Sequence, residues 1–342
     1  LQDFRRGRAR QQFVWRFILP HAGLLIKAFT PVSVIQSKIA RTEAVARPKQ
    51  IERRRLAFRV GGTSFGLFSD DHIELALDPS MRDFVVEPSL GDIQIQVGWT
   101  TSLEIPPGEP LFNSGGLWRL FEESGGYRFY FSTPYLGASP YKTAWFDREF
   151  SCGHLLLFRP YFDESKPIYP LEYPLDELLM IHRLACGEGV EMHAVGIVDE
   201  AGLGHLFLGH SGAGKSTTAR LWKSASNAQI LSDDRIILRI RDGRIWMYGT
   251  PWHGDAGIAS PESAPLSRLY LLEHSHHTEL VALPPGRAAA ELFTRSFVPH
   301  HSPTGLQFTL RFLDRVAREV PCAIFRFLPD KSAVEAIYRE GA

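Results

Sequence analysis

Within eight residues, Gly209-His-Ser-Gly-Ala-Gly-Lys-Ser216, the chain sets three glycines, a lysine and a hydroxyl in the order that suits polyphosphate binding. Gly209, Gly212 and Gly214 let the backbone wrap closely round a phosphate in conformations that a side chain would penalise. Lys215 supplies a point charge for the β- and γ-phosphates, and the Ser216 hydroxyl supplies a ligand for Mg²⁺. The expected nucleotide contacts are Gly209, Ser211, Gly212, Ala213, Gly214, Lys215, Ser216 and Thr217, with ATP and Mg²⁺ as the bound species. His210 occupies a variable position of the pattern and reads as filler.

A second acidic element, Asp233-Asp234, ends an apolar stretch eighteen residues beyond Lys215. So short an interval implies an adjacent strand. One carboxylate there can hold Mg²⁺, directly or through water, and the other can accept the proton of an attacking hydroxyl. His193 opens a strand, where a lone histidine is ordinarily structural, and only these neighbours raise its interest. His274, His276 and His277, with His300 and His301, read as solvated loop residues, because cysteines or carboxylates at ligand spacing are lacking.

These residues need a strand, a loop and a helix in that order. Leu203 to Leu208 is a short apolar run bounded by glycine, and Thr217 to Lys223 resumes a helical spacing through Ala219 and Leu221. A helix amino terminus behind the loop offers free N–H groups and the positive end of its dipole. Asp176 to Cys186 reads as a helix stopped by Gly187 and Gly189, and Met192 to Val198 as a strand. Gln229 to Ser232 reads as a strand, and Arg235 to Ile240 pairs with Arg244 to Tyr248 across Asp242-Gly243. Strands at Leu269 to Leu272 and Ala323 to Phe327 alternate with helices at Gly286 to Phe293, Leu306 to Arg318 and Ser332 to Arg339. From Leu56 to about Arg159 the pattern is of short strands: a hairpin around Gly61-Gly62-Thr63, then Asp92 to Trp99, Tyr127 to Ser132, Thr143 to Phe146 and His154 to Phe158. Pro160, Pro167, Pro170 and Pro174 punctuate a linker. The expected organisation is a basic arm over residues 1–55, a β-rich domain over 56–165 and an α/β domain with a mixed sheet over 166–342.

At 342 residues the chain is long enough for two such cores. With 44% apolar and 22% charged residues its composition is that of a soluble globular protein, and no apolar run is long enough to span a membrane. Three widely spaced cysteines, Cys152, Cys186 and Cys322, fit reduced thiols in a cytoplasm. The net charge of zero hides an asymmetry: residues 1–59 hold fourteen Lys or Arg against three Asp or Glu. That arm could meet nucleic acid, an anionic membrane or an acidic protein. It lacks aromatic platforms and groove-reading patterns, so it reads as a poorly ordered tail and not as a nucleic-acid surface.

The run MHAVGIVDEAGLGHLFLGHSGAGKSTTARL, together with ILSDDRIIL, from Met192 to Leu238, resembles the catalytic core of bacterial HPr kinase/phosphorylase, whose nucleotide domain is similar to that of ATP-dependent phosphoenolpyruvate carboxykinase. The resemblance covers roughly residues 175–250. It implies a carboxykinase-like P-loop domain in which His193 lies near the transferred phosphate and Lys215 and Ser216 serve phosphate and Mg²⁺. By the same resemblance Asp233 is the base for a substrate serine, Asp234 assists with metal and positioning, and the protein forms homo-oligomers. The family's Glu-x-Arg-Gly signature is absent. In its place stands Gly249-Thr-Pro-Trp-His-Gly-Asp255, which could put Asp255 or His253 beside the metal. The β-rich first half and this segment look like HPr-kinase-like proteins of peptide-modifying gene clusters. The expected function is thus a Mg²⁺-dependent kinase acting on a serine of a small protein or peptide. The alternatives are a nucleotide-responsive binding protein and a small-molecule kinase on the same scaffold.

Overall fold

The computed structural model describes residues 55–341 apart from 70, 71, 89, 90, 138 and 211. The arm expected over residues 1–55 therefore lies outside the described residues, except for Arg55. The described chain is a mixed α/β protein built on two mixed sheets.

The first sheet begins with the expected hairpin, β1 (Arg55–Val60) and β2 (Thr63–Phe68) around Gly61-Gly62. It continues through β3 (Ile93–Thr100), β4 (Phe112–Asn113), β5 (Trp118–Glu123), β6 (Gly126–Ser132), β7 (Pro140–Asp147) and β8 (Cys152–Phe158). The spatial order is β1-β2-β3-β8-β7-β6-β5-β4. Only the β2–β3 and β3–β8 ladders are parallel. Alternation does the folding work in β3: Ile93, Ile95 and Val97 are buried while Gln94 and Gln96 are half-buried. Their face joins Phe58 and Phe65, whose rings stack at 4.6 Å, and Phe129 and Leu155 in one core. Helix α1 (Leu175–Ala185) lays Leu175, Leu179 and Leu184 into the same core.

The second sheet holds β9 (Val190–Val198), β10 (Gly204–Leu208), β11 (Gln229–Ser232), β12 (Arg235–Arg241), β13 (Arg244–Gly249), β14 (Ser263–His274), β15 (Glu279–Ala282), β16 (Ser296–Phe297) and β17 (Cys322–Phe327). Its helices are α2 (Lys215–Ala225), α3 (Pro285–Phe293), α4 (Pro303–Glu319) and α5 (Lys331–Gly341). Strand alternation sends Leu206, Leu208, Leu269, Leu271 and Ile324 to one face, where α3 and α4 cover them with Leu292, Phe312 and Val316. It sends Phe207, Tyr270, Leu272, Phe325 and Phe327 to the other, under Ala219 and Trp222 of α2 and Val334 and Ile337 of α5. A sheet buried on both faces reads as continuous apolar runs, as these strands do.

Two strands serve more than one ladder. The sequence placed a strand at Leu269 to Leu272, but β14 runs twelve residues because its start pairs with β13, its middle with β10 and its end with β17. β9 pairs with β12 and β16 through its first half and with β10 and β11 through its second. β10, β14 and β17 are mutually parallel neighbours, so their carboxyl ends share one edge, the place where open α/β sheets take ligands. The two sheets meet where the Gly61 turn seats on β12: a Cβ at Gly61, which sits at φ +55°, would lie 2.6 Å from Ile237 Cδ1. Arg239 Nη1 donates to Gly61 O at 2.9 Å and to Thr63 Oγ1 at 3.0 Å across that seam.

Candidate functional site

The glycine-rich loop leaves the end of β10 and enters α2, with Gly212 at φ +85° and Gly214 at φ +99°. Both are left-handed conformations that glycine adopts without strain. The turn is also tight: a Cβ on Gly209 would come within 2.6 Å of Ala213 Cβ, and one on Gly214 within 2.9 Å of Phe327 Cζ. The neighbouring parallel strands supply the loop's outer supports. His274, at the end of β14, meets Gly212 O through Nε2 at 2.9 Å, and Phe327, at the end of β17, lies beneath Gly214 and against the His274 ring. His274 is thus a loop support and not merely solvated.

Lys215 is buried at the start of α2, its ammonium donating to Gly209 O at 2.9 Å and His210 O at 3.1 Å. Burial lowers its pKa to about 8, against the pull of Asp234. Thr218 Oγ1 closes the first turn on Gly214 O at 3.0 Å. Ser216 and Thr217 are half-buried on that turn. Ser211 lies outside the described residues. His210, which reads as filler in the sequence, pairs through Nε2 with Arg295 Nη2 at 2.9 Å. Arg295 also accepts the His193 amide on its carbonyl at 2.7 Å, so it ties the loop to β9.

Where β9 changes partners, His193 and Asp234 come together: Nδ1 of the imidazole is 3.1 Å from Asp234 Oδ1. Arg235 is the hub of this cluster. Its Nη1 donates to Asp234 Oδ2 and reaches His193 Nδ1 at 3.1 Å, its Nε donates to Glu177 Oε1 of α1 at 2.7 Å, and its guanidinium lies 4.3 Å from the Phe297 ring centre. Glu191 of β9 sits 3.5 Å from the same Nε. Burial acts against the charge of Asp234, but Arg235, then His193 and Lys215, hold its carboxyl down at about 2. Burial is the main cause that lowers His193 to about 4, which leaves the ring neutral at neutral pH. Nδ1 lies between a guanidinium that can only donate and a carboxylate that can only accept, so its role follows the tautomer: protonated it donates to Asp234 Oδ1, unprotonated it accepts from Arg235 Nη1. Glu191 is completely buried, and burial and then the nearby Glu177 charge push its carboxyl well above the usual range, against the pull of Arg235.

Asp233 faces elsewhere. Its Oδ1 accepts the amides of Gly254 at 2.9 Å and Ile258 at 3.3 Å, and its Oδ2 accepts the amide of Ala256 at 2.8 Å. The carboxylate expected to act as base is therefore bonded to the backbone of the 254–258 turn, and burial raises its pKa. Asp255 and His253 are exposed on that turn. The structure thus brings His193, Lys215 and Asp234 to one edge and gives Asp233 three amide partners. Among the described residues no group of three or more His, Cys, Asp or Glu side chains is arranged to hold a metal ion. A phosphate-bound Mg²⁺ asks for less, namely one hydroxyl or carboxylate with water and phosphate oxygens, and the Ser216 hydroxyl and the Asp234 carboxylate are the groups that could serve.

Sequence reading missed Arg235, Glu177, Glu191 and Arg295. A signal was present for two of them: Glu191 is a charge between Val190 and Met192 and Arg235 opens an apolar strand directly after two aspartates, and a charge buried in such a strand must be paired. Their partner Glu177, fifty-eight residues before Arg235, carried none.

No protein-family profile and no curated protein matches the chain. Among the described residues no helix is long and apolar enough to cross a membrane. A solved structure titled as the Hpr(Ser) kinase/phosphatase from Coxiella burnetii is similar to this chain with 12% identity and a TM-score of 0.26, over 44% of this chain and 95% of that one.

Proposed function

We propose that this chain is a Mg²⁺-dependent kinase that moves a phosphoryl group from ATP to a serine hydroxyl of a small protein or peptide. One observation carries the reading: a glycine-rich turn at a helix amino terminus, a buried ammonium and a carboxylate held ionised by a buried arginine meet at the carboxyl edge of three parallel strands. The amides of the α2 amino terminus and its dipole favour phosphate there. Lys215, largely charged at neutral pH and shielded from water, attracts phosphate oxygens more strongly than an exposed lysine would. Mg²⁺, when bound, offsets charge on the phosphate oxygens, and Ser216 and Asp234 are the residues that would hold it. Asp234 remains ionised, so it can also orient an acceptor hydroxyl and take its proton late in the transfer. His193 and Arg235 fix its position. Asp233 shapes the neighbouring 254–258 turn and so the wall beside the site.

The test incubates the full chain with labelled ATP, Mg²⁺ and serine-containing peptides encoded beside its gene. Wild type is compared with Lys215→Ala, Asp234→Asn and Asp233→Asn. Transfer should fall on the order of a hundredfold or more in the first two, as expected when a charge acting on the transition state is removed. In Asp233→Asn, whose amide oxygen still accepts from the turn, the fall should be smaller. Absence of phosphorylated product in wild type despite ATP binding would overturn the reading and favour a nucleotide-responsive binding protein.

A further inference from the structure

Beside the charged cluster lies a cavity of about 110 Å³, walled by β4 and β5 of the first sheet, by α1 and by the segment that follows β16. Phe112, Trp118, Leu178, Ile181 and Val298 give it an apolar lining. It is reachable from solvent, because Phe112, Trp118 and Ile181 are only half-buried and His300 at its rim is exposed. His182 and His301 line it without adding charge: burial lowers His182 to about 3 and His301 to about 4.

Two lining residues belong to the cluster as well. Glu177 carries the Arg235 Nε at 2.7 Å, and Phe297 packs its ring on the same guanidinium. The cavity wall is therefore separated from Asp234 by one guanidinium and its two contacts, a distance that about two residues of extended chain would cover. The volume limits the occupant. Pockets that enclose a whole small molecule are several times larger, on the order of 300–1,000 Å³, whereas a space of roughly this size takes a single ring or branched aliphatic group. Glu177 spends one oxygen on Arg235, and a carboxylate has acceptor positions to spare for a peptide N–H.

We infer that this cavity holds one apolar side chain of the acceptor peptide, leucine-sized or aromatic, one or two residues from the serine that meets the phosphate, with a backbone N–H of the peptide donating to Glu177. This inference rests on the proposed phosphoryl transfer. It assigns the acceptor's local chemistry: an apolar anchor beside a hydroxyl, read by the face where the two sheets and α1 converge.

The test uses the full chain and synthetic hexapeptides with a central serine in glycine, each carrying one leucine within two residues of the serine, against the leucine-free parent. Binding is followed by ligand-observed NMR and transfer by labelled ATP with Mg²⁺. Wild type should bind one leucine peptide about tenfold or more above the parent, the discrimination an apolar pocket can supply. Ile181→Trp, which fills the cavity from a half-buried position, should erase that preference. Ile181→Ala should move it toward a tryptophan peptide, a shift that general loss of structure would not give. Equal binding of all peptides, or a leucine preference that survives Ile181→Trp, would overturn the pocket, as would binding of N-acetyl-leucinamide as tight as the best peptide. Leucine-selective binding with no transfer would instead sink the kinase reading and leave the pocket standing, while transfer without selectivity would do the reverse.

Discussion

The protein buries charge in two ways, and the contrast explains what each region is for. In the first sheet a single ammonium, Lys142, is fully buried. Its Nζ donates to Pro170 O at 3.0 Å, reaches Glu172 at 3.5 Å and lies 4.8 Å from the Phe131 ring centre. Burial lowers its pKa, so the fold presses it toward neutrality. At the edge of the second sheet Glu177, Glu191, His193, Asp234 and Arg235 are buried together in one charge-paired cluster. Lys142 is a single buried charge with a carbonyl, a half-exposed carboxylate and a ring face as partners, whereas in the cluster several buried charges depend on one another. Apolar residues would fill the cluster's volume as well for stability alone, and the proposed phosphoryl transfer would give the cluster a role, to fix an ionised carboxylate near Lys215.

Four measurements sharpen or break this contrast. The largest effect should come from Arg235→Ala, which leaves Glu177 and Asp234 buried without their cation. Urea unfolding should show a loss of about 3–5 kcal/mol. A loss below about 1 kcal/mol would mean that the cluster is not interdependent. Next is the pH response of His182, whose ring packs against Phe129 and Phe150 and faces His301. Its folded pKa of about 3 lies below the ordinary 6.5, so the unfolded state binds the proton first as pH falls. Stability should then drop by up to ~1.4 kcal/mol per pH unit through that window. Thermal melts of His182→Phe between pH 7 and 4 should show a shallower fall than wild type, and parallel curves would refute the assignment.

Gly61→Ala should cost about 1–3 kcal/mol, because the new methyl meets Ile237 at a backbone angle that L-residues rarely adopt. Calorimetry that finds no change would show that the seam between the sheets gives way easily. The smallest effect belongs to Lys142→Met. Glu172 keeps about two-fifths of its side chain in water, so removing the ammonium strands little, and the change should stay within ~1 kcal/mol or be a gain. A loss of the size expected for Arg235→Ala would erase the distinction between the two regions.

Much of this was legible in the residues. The glycine spacing announced the loop, and period-2 alternation located most strands, since a sheet face must be apolar where it is buried. Strand length was less legible: β14 is three times as long as its apolar run suggested, because pairing with three different partners extends it through Ser263, Pro265 and Arg268. β4, β15 and β16 escaped notice since so few residues carry little period, and β5 (Trp118–Glu123) did so because its burial does not alternate cleanly. The cluster's logic was hidden for another reason. Asp233 and Asp234 are adjacent and chemically identical, yet they sit in the bend between β11 and β12, and only the fold decides that one meets Arg235 and the other meets the 254–258 amides. Glu177 and Arg235 find each other through tertiary packing that no local pattern encodes.

The change of partners within β9 has a consequence for how the chain can vary. His193 is held by the Arg295 carbonyl and Ala194 by the Asp234 carbonyl, while β10, β11, β12 and β16 all read their register from this one strand. A one-residue insertion between His193 and Val195 would break the register of one half against the other: either Val195 and Ile197 turn away from the α2 side or His193 moves out of line with Asp234. This strand can tolerate exchanged side chains but no change of length, whereas the exposed turn at residues 200–203 on its far side can lengthen freely.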